Sequence, residues 1–436
     1  MSINNKILEF IKRNRQEIIV VLIFLVYAFG FNVYRVQGDG LYYYAFLENV
    51  LHIPNPESST IMLNGASIFT QAGCSYFNVP FYLAAYFIEK LFSLNFNFNG
   101  ITLRQISINL ASNFYLVLSL ILVVRILKYL RLKHIVFPIL SILFSTSAVT
   151  AAVIMPSMTH AVDIFIMTLF IYLIINQENR PINSLLLGLL GTVAILVRYF
   201  NFLLIAPVLL YYLYLKKHKE TKLFLMGFCG SVWIIPLLLH IHNGTVSPFY
   251  ESGMVISNTI RESSGILIPL WPKYLLKLLV HPLHGLFVWA PVTIFSAIGL
   301  IFAPKERSKL GYLLATIWFL YVFLYGFMSF WSAGWSFTNR YLVNLFPIYV
   351  IGLSIFINKY GRRTLWFLTP LTFYSIILFF NWHLCIMNGE FGTPGDIIKA
   401  WIKGESFSSI DKTVNLKIFL NRLWQMCRYK YIFKLF

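Results

Sequence analysis

Asp39 stands in Val36-Gln-Gly-Asp-Gly-Leu-Tyr-Tyr-Tyr44, where Gly38 and Gly40 let the backbone turn sharply and approach a ligand closely. A carboxylate so placed can take a proton from a hydroxyl within hydrogen-bond reach, or it can simply close a turn or cap the next helix. Tyr42, Tyr43 and Tyr44 beside it offer either the wall of a sugar pocket or part of an interfacial aromatic belt. Arg340 lies in Phe330-Trp-Ser-Ala-Gly-Trp-Ser-Phe-Thr-Asn-Arg-Tyr341. Its planar fork suits bidentate capture of a phosphate, and Trp331 and Trp335 give flat faces for a sugar ring or a lipid chain. Arg198, in Leu196-Val-Arg-Tyr-Phe200, and Arg104, which opens a long apolar run, are further anion-binding candidates. For both, the plain alternative is a lipid-facing anchor. His160 and Asp163 are three apart and share a helix face, as do His281 and His284. Neither pair brings a third ligand, which favours hydrogen bonding over a metal site. A divalent cation could be held by Asp39 with Glu48, Glu57 or Asp163, although no spacing selects a set. Gly-x-Ser-x-Gly and Gly-x-x-x-x-Gly-Lys-[Ser/Thr] are both absent. With no nucleotide cradle, energy must come from an activated substrate or a gradient.

The elements that position these residues are read from composition. Of 436 residues, 58% are hydrophobic and only 12% charged, about half the charged fraction of a soluble domain. Apolar stretches of about 20 residues, each long enough to cross a bilayer, recur to about residue 385. The fold class expected is all-α, a polytopic membrane protein. The formal charge of +19 does not mark a nucleic-acid binder, because the basic residues sit in short clusters between apolar stretches rather than on one soluble face. Cys74, Cys229, Cys385 and Cys427 lie far apart with no Cys-x-x-Cys pair, so neither zinc nor a disulfide framework is indicated.

The run Ile18 to Phe31 follows Lys6, Lys12, Arg13 and Arg15 and reads as an uncleaved first span, since more membrane follows. Later spans are expected at about 104–127, 135–153, 160–176, 183–198, 200–215, 222–242, 284–303, 311–330, 341–358 and 364–385, eleven in all. Alternation then puts Lys128/Arg131/Lys133, Arg180, Lys216/Lys217/Lys219, Lys305/Arg307/Lys309 and Lys359/Arg362/Arg363 on the N-terminal, cytoplasmic side. The stretch Tyr76 to Leu94 would reverse that order as a span, so it is expected to lie on the outer membrane surface as an amphipathic helix. The expected organisation is a transmembrane domain over 1–385, with outer loops at 34–103 and 243–283, and an outer C-terminal tail over 386–436. No repeat of 20–50 residues is visible, which weakens a transporter reading.

The order of these pieces resembles the GT-C superfamily of integral-membrane glycosyltransferases. The likeness rests on Asp39 after the first helix, Pro80-Phe81-Tyr82 opening the surface helix, and Leu103-Arg104 entering the next span. Thr159-His-Ala-Val162, Leu196-Val-Arg198, Pro282-Leu-His-Gly-Leu-Phe287 with Ala290-Pro291, and Gly334-Trp-Ser-Phe-Thr-Asn-Arg-Tyr-Leu342 look like a bacterial branch. The similarity covers about residues 15–360, and size and composition look most like serotype-converting O-antigen glucosyltransferases. It implies a hexosyltransferase of the bacterial inner membrane, with its N-terminus cytoplasmic and its C-terminus periplasmic. Such an enzyme moves a sugar such as glucose from a polyprenyl-phosphate donor (undecaprenyl phosphate glucose) to a lipid-linked or surface glycan such as lipopolysaccharide. It implies Asp39 as the base, Arg340, Arg198 and Arg104 on the donor phosphate, and Tyr42, Tyr43, Glu48, His160, Glu251, His284, Trp331 and Trp335 around the substrates. Many relatives carry a second acidic residue in a later outer loop, for which Glu251 and Glu262 are candidates, and Gly-Pro where this chain has Thr338-Asn339. That leaves a divalent cation an open expectation. The rival readings are a transporter or flippase of lipid-linked sugars, and an O-antigen polymerase or ligase.

Overall fold

The computed structural model describes residues 3–36, 38–53, 72–94, 96–98, 100–176, 182–243, 271–281, 284–327 and 336–387. The chain is a mostly helical membrane protein. Among the described residues, five helical segments are long and apolar enough to cross a bilayer: Leu103–Tyr129, His218–Leu238, Ser308–Gly326, Arg340–Tyr360 and Arg362–Phe380. In chain order the elements are α1 (Ile3–Arg13), α2 (Arg15–Phe31), α3 (Gly40–Val50), α4 (Ala72–Leu91), β1 (Asn97–Phe98), β2 (Ile101–Thr102), α5 (Leu103–Tyr129), α6 (Val136–Ser145), α7 (His160–Ile175) and α8 (Ile182–Val197). They continue with α9 (Ile205–Tyr214), α10 (His218–Ser231), α11 (Ile234–Asn243), α12 (Trp271–Val280), α13 (Leu286–Trp289), α14 (Val292–Ile301), α15 (Ser308–Gly326), α16 (Phe346–Tyr360) and α17 (Leu365–Met387).

Each apolar stretch of the sequence folds as helix, but several are broken. The stretch 135–153 is divided between α6 and a π-helical turn, Thr150–Ile154. The Thr146 hydroxyl at the break donates to the Ile142 carbonyl at 2.8 Å. The stretches 200–215 and 341–358 begin with 3-10 helices, Tyr199–Leu204 and Arg340–Leu345. In hydrocarbon such irregular backbone survives where it is buried in protein: Thr150–Ile154 is buried throughout, Leu342–Leu345 is buried, and Tyr199, Asn201 and Leu204 are buried in the third. Close helix crossings rest on small residues: Gly299 faces Gly352, and Gly188 and Gly227 each meet the backbone of the opposing helix.

Hydrogen bonds tie the basic clusters together at one end of the bundle. Lys128 Nζ lies 2.7 Å from Glu17 Oε2 and donates to the Arg13 carbonyl at 3.1 Å. Arg307 donates to the Leu130 carbonyl at 2.6 Å, and Lys359 to the Phe302 carbonyl at 2.7 Å. The N-terminal, 128–133, 305–309 and 359–363 clusters therefore share an end, and Arg180 lies outside the described residues. Asp39, Arg198 and Arg340 lie at the other.

A helix forms over most of the expected stretch as α4, with Pro80 inside it, and is not among the segments long and apolar enough to span. It packs on α3 and on α5. The sequence reading held no strand, whereas Asn97–Phe98 pairs with Ile101–Thr102 in a small antiparallel hairpin. Gly100 turns it at φ +80°, its amide donating to the Asn97 side chain at 2.9 Å. Thr102 then caps α5 by accepting from the Gln105 amide.

Candidate functional site

Four breaks in regular structure meet at the end of the bundle away from the basic clusters. They are the Gly38–Gly40 turn, the segment between the π-helical turn and α7, the junction of α8 with Tyr199–Leu204, and the entry to Arg340–Leu345. They enclose a cavity of about 160 Å³ lined by Asp39, Tyr43, Met158, Thr159, His160, Arg198, Phe200, Arg340 and Tyr341. A typical ligand pocket is roughly 300–1,000 Å³, so this one suits a charged group and its nearest neighbours rather than a whole lipid-linked sugar.

The sequence holds Asp39 there through close approach. Gly38 takes φ +58°, and a Cβ on Gly40 would collide with the Ser157 side chain. The α3 backbone is fastened from below, where Ser75 donates to the Tyr43 carbonyl at 3.0 Å. Ser112 donates to the Pro156 carbonyl, and the Val33 amide to the Val153 carbonyl at 2.8 Å. Asp39 occupies the N-cap position of α3, yet its side chain makes no capping bond. Instead its Oδ2 lies 3.1 Å from Arg340 Nη2, with the Asp39 side chain 54% exposed and that of Arg340 17%.

Arg340 is presented by a constrained turn. Thr338, in the position where the resemblance leads one to expect glycine, has φ +52°. The Ser147 hydroxyl holds it, 2.8 Å from Thr338 Oγ1 and also bonded to the Phe337 carbonyl. Asn339 Oδ1 accepts from the Tyr341 amide at 3.1 Å and so starts the 3-10 helix with the arginine at its first position. Beyond Asp39, Arg340 meets Met158 Sδ at 3.4 Å and the face of Tyr341.

Arg198 is held differently. Its Nη1 lies 3.1 Å from Asp163 Oδ2, and its Nη2 donates to the Tyr325 hydroxyl at 2.9 Å. Tyr325 and Tyr341 stack at 5.1 Å between centroids, and the guanidinium lies 5.9 and 5.8 Å from their two rings. Asp163 is further fixed by Asn201 Nδ2 at 2.8 Å, and Asn201 Oδ1 by the Tyr321 hydroxyl at 2.6 Å and Asn344 at 3.1 Å. This network is buried, which corrects the lipid-facing alternative for Arg198.

Arg104 does not join the cavity. It lies 3.5 Å from Glu48 and 3.0 Å from Glu89, and donates to the Tyr82 hydroxyl at 2.9 Å. Glu48, fully buried, accepts from Tyr82 at 2.9 Å, so it too is part of the α3–α4–α5 junction and does not line the cavity. Tyr42 is exposed and His284 is buried in the turn before α13; neither lines the cavity. Tyr43 and His160 do. Burial and the nearby Cys74 and Asp39 push the Tyr43 phenol up, which keeps it a hydrogen-bond donor. Glu57, Glu251, Glu262, Trp331 and Trp335, the loop 243–283 over most of its length, and the tail beyond residue 387 lie outside the described residues.

Among the described residues no three His, Cys, Asp or Glu side chains gather to hold a metal. Asp39 faces Arg340, Asp163 faces Arg198, and Glu48 is taken by Tyr82 and Arg104. Sequence reasoning missed Met158, Thr159, Phe200 and Tyr341; the one available signal was an aromatic residue within two positions after each arginine, in Arg198-Tyr-Phe200 and Arg340-Tyr341. Comparison of the chain with protein-family models, with curated proteins and with solved structures finds no match in any of the three.

Proposed function

We propose that this chain is an inverting glycosyltransferase that moves a sugar from a polyprenyl-phosphate donor to a glycan hydroxyl at the outer face of a bacterial inner membrane. The observation that carries the reading is one carboxylate and two arginines converging on a small cavity at a single end of an apolar helical bundle. Breaking the C1–O bond leaves a phosphate that gains charge, and fixed guanidinium groups lower that barrier electrostatically. Arg340 and Arg198 would take this role. The acceptor oxygen attacks C1 from the opposite face and passes its proton to Asp39, while the C1–O electron pair leaves with the phosphate; the anomeric centre inverts. Tyr43 and His160 line the same cavity and would hold sugar hydroxyls. A hexose such as glucose and an O-antigen acceptor follow from the resemblance alone.

The same reading includes eleven spans, a cytoplasmic N-terminus, and outer placement of the 34–103 loop and the tail. The gathering of Arg13, Lys128, Arg307 and Lys359 at the end opposite the cavity supports it. The charged pair Arg198–Asp163 sits at helix ends around the cavity rather than midway along the helices, which favours an enzyme over a carrier. Purified protein incubated with a panel of polyprenyl-phosphate sugars should release sugar or transfer it from at least one. Arg340→Lys, which keeps the charge and loses the fork, should depress turnover at least tenfold in a folded protein. No turnover on any donor, with or without added divalent cations, together with counterflow of a lipid-linked sugar in vesicles, would replace this reading with the carrier.

A further inference from the structure

The two arginines of the cavity differ in what already occupies them. Arg198 spends both terminal nitrogens on Asp163 and Tyr325 and is fixed between two tyrosine rings. Arg340 has one charged partner among the described residues, Asp39, at one nitrogen. Its Nη1 faces only the thioether of Met158, a weak acceptor, and its Nε is buried with no hydrogen-bond partner. A buried guanidinium N–H without an acceptor calls for one, and each two-donor edge of the fork, Nε with Nη2 or Nη1 with Nη2, includes the nitrogen that Asp39 holds, so bidentate capture of a phosphate must take Nη2 from the carboxylate. The Asp39 side chain is more than half exposed and has no capping bond to hold it, so the present ion pair is of the weak, exchangeable kind.

We propose that Arg340 is a phosphate-exchange site, at which a lipid-borne phosphate ester takes the place of the Asp39 carboxylate. This rests on the glycosyltransferase reading, and it adds an order of events to it. Asp39 turns Oδ2 toward Arg340 Nη2. While the pair is closed, the carboxylate is held toward the guanidinium and the nitrogen common to both two-donor edges is in use. A donor phosphate that takes Nη2 together with the unpartnered Nε releases Asp39 toward the cavity mouth. The donor therefore binds first, and the base becomes available only in its presence, which protects the empty enzyme from unproductive acceptor binding.

Competition for one guanidinium makes the reverse effect measurable: removing the carboxylate's charge should tighten phosphate binding. The full chain is reconstituted in phosphatidylcholine nanodiscs and titrated with farnesyl phosphate, as wild type, Asp39→Asn, Asp39→Ser, and Asp39→Asn/Arg340→Gln. The exchange site requires both single variants to bind at least about fivefold tighter than wild type, and the double variant to lose the gain. A second set of discs containing phosphatidylglycerol separates the sources. Tightening that survives there assigns the site to the donor phosphate, and tightening that this lipid erases assigns the same exchange to a headgroup. Equal or weaker binding by both single variants overturns the proposal. Sugar release does not enter this result: tightening without any turnover would sink the glycosyltransferase reading and keep the exchange, whereas turnover without tightening would do the opposite.

Discussion

Asp163→Ala is the substitution for which the structure gives the clearest magnitude. Asp163 is fully buried, lies 3.1 Å from Arg198 Nη1 and accepts from Asn201 at 2.8 Å. Its removal leaves Arg198, with a side chain only 7% exposed, as a buried charge whose remaining partners are a hydroxyl, a carbonyl and two aromatic faces. Removing one partner of a buried ion pair costs about 3–5 kcal/mol, because the other charge is stranded. Asp39→Ala also removes a carboxylate at 3.1 Å from an arginine, but with a half-exposed side chain and no capping bond the loss is about 0–1 kcal/mol. The assay is paired: melting of the detergent-solubilised variants, and sugar release from a polyprenyl-phosphate donor. Asp163→Ala should melt clearly earlier or fail to accumulate, and Arg198→Met/Asp163→Leu should recover most of the stability without recovering turnover. Asp39→Asn should melt as wild type and lose transfer. If instead Asp39→Asn melts early while Asp163→Ala does not, the division between a structural and a working carboxylate is wrong.

Gly40→Ala should lower turnover at least tenfold, since the new Cβ meets Ser157 and pushes the Asp39 turn off the 155–159 segment; Ser157→Gly in the same chain should restore part of it, as read by initial rates. Single cysteines or reporter tags at Asn55 and at Ser408 should both be reached by an impermeant reagent from the outer face, and protection at either would break the eleven-span arrangement. Cys74 should resist maleimide in the folded protein near neutral pH and react only on unfolding, because it is buried and the thiol is pushed up to about 12 by burial and then by the charge of Asp163. Mass spectrometry after timed labelling measures this.

How far the sequence could be read depended on whether a residue's partner was near in the chain. Asp39 was legible because the glycines that serve it are its immediate neighbours, and Arg340 because it opens a helix beside tryptophans. Arg104 had the same outward signs, a cation at the start of an apolar run, but its partners Glu48, Tyr82 and Glu89 lie on two other helices. Nothing in a single-residue pattern distinguishes an arginine already neutralised by two carboxylates from one awaiting an anion. Asp163 was seen to share a face with His160, yet its partner Arg198 comes from the far end of the next helix. The spans were legible as apolar runs, and their breaks were not, since a π-helical or 3-10 turn within a continuous apolar stretch leaves hydropathy unchanged.

Those breaks also explain why polar residues in this bundle overstate its chemistry. A helix interrupted inside a bilayer leaves amides and carbonyls that water cannot reach, and each unsatisfied group there is costly. Ser112 closes the Pro156 carbonyl, Ser147 the Phe337 carbonyl and Asn339 the Tyr341 amide. All three act at the segments that carry cavity residues, and none lines the cavity itself. The rule that a polar residue within a membrane marks function therefore holds here at one remove: the serines and the asparagine stabilise the interruptions, and the interruptions are what turn Met158, Arg198 and Arg340 inward. A consequence separates the two classes. Ser147→Ala should weaken the turn that keeps Thr338 at positive φ and so act on Arg340 indirectly, lowering turnover and the melting point together. Arg340→Ala should lower turnover alone. A Ser147→Ala protein of unchanged stability and abolished transfer would place Ser147 among the residues that touch substrate, against the geometry described.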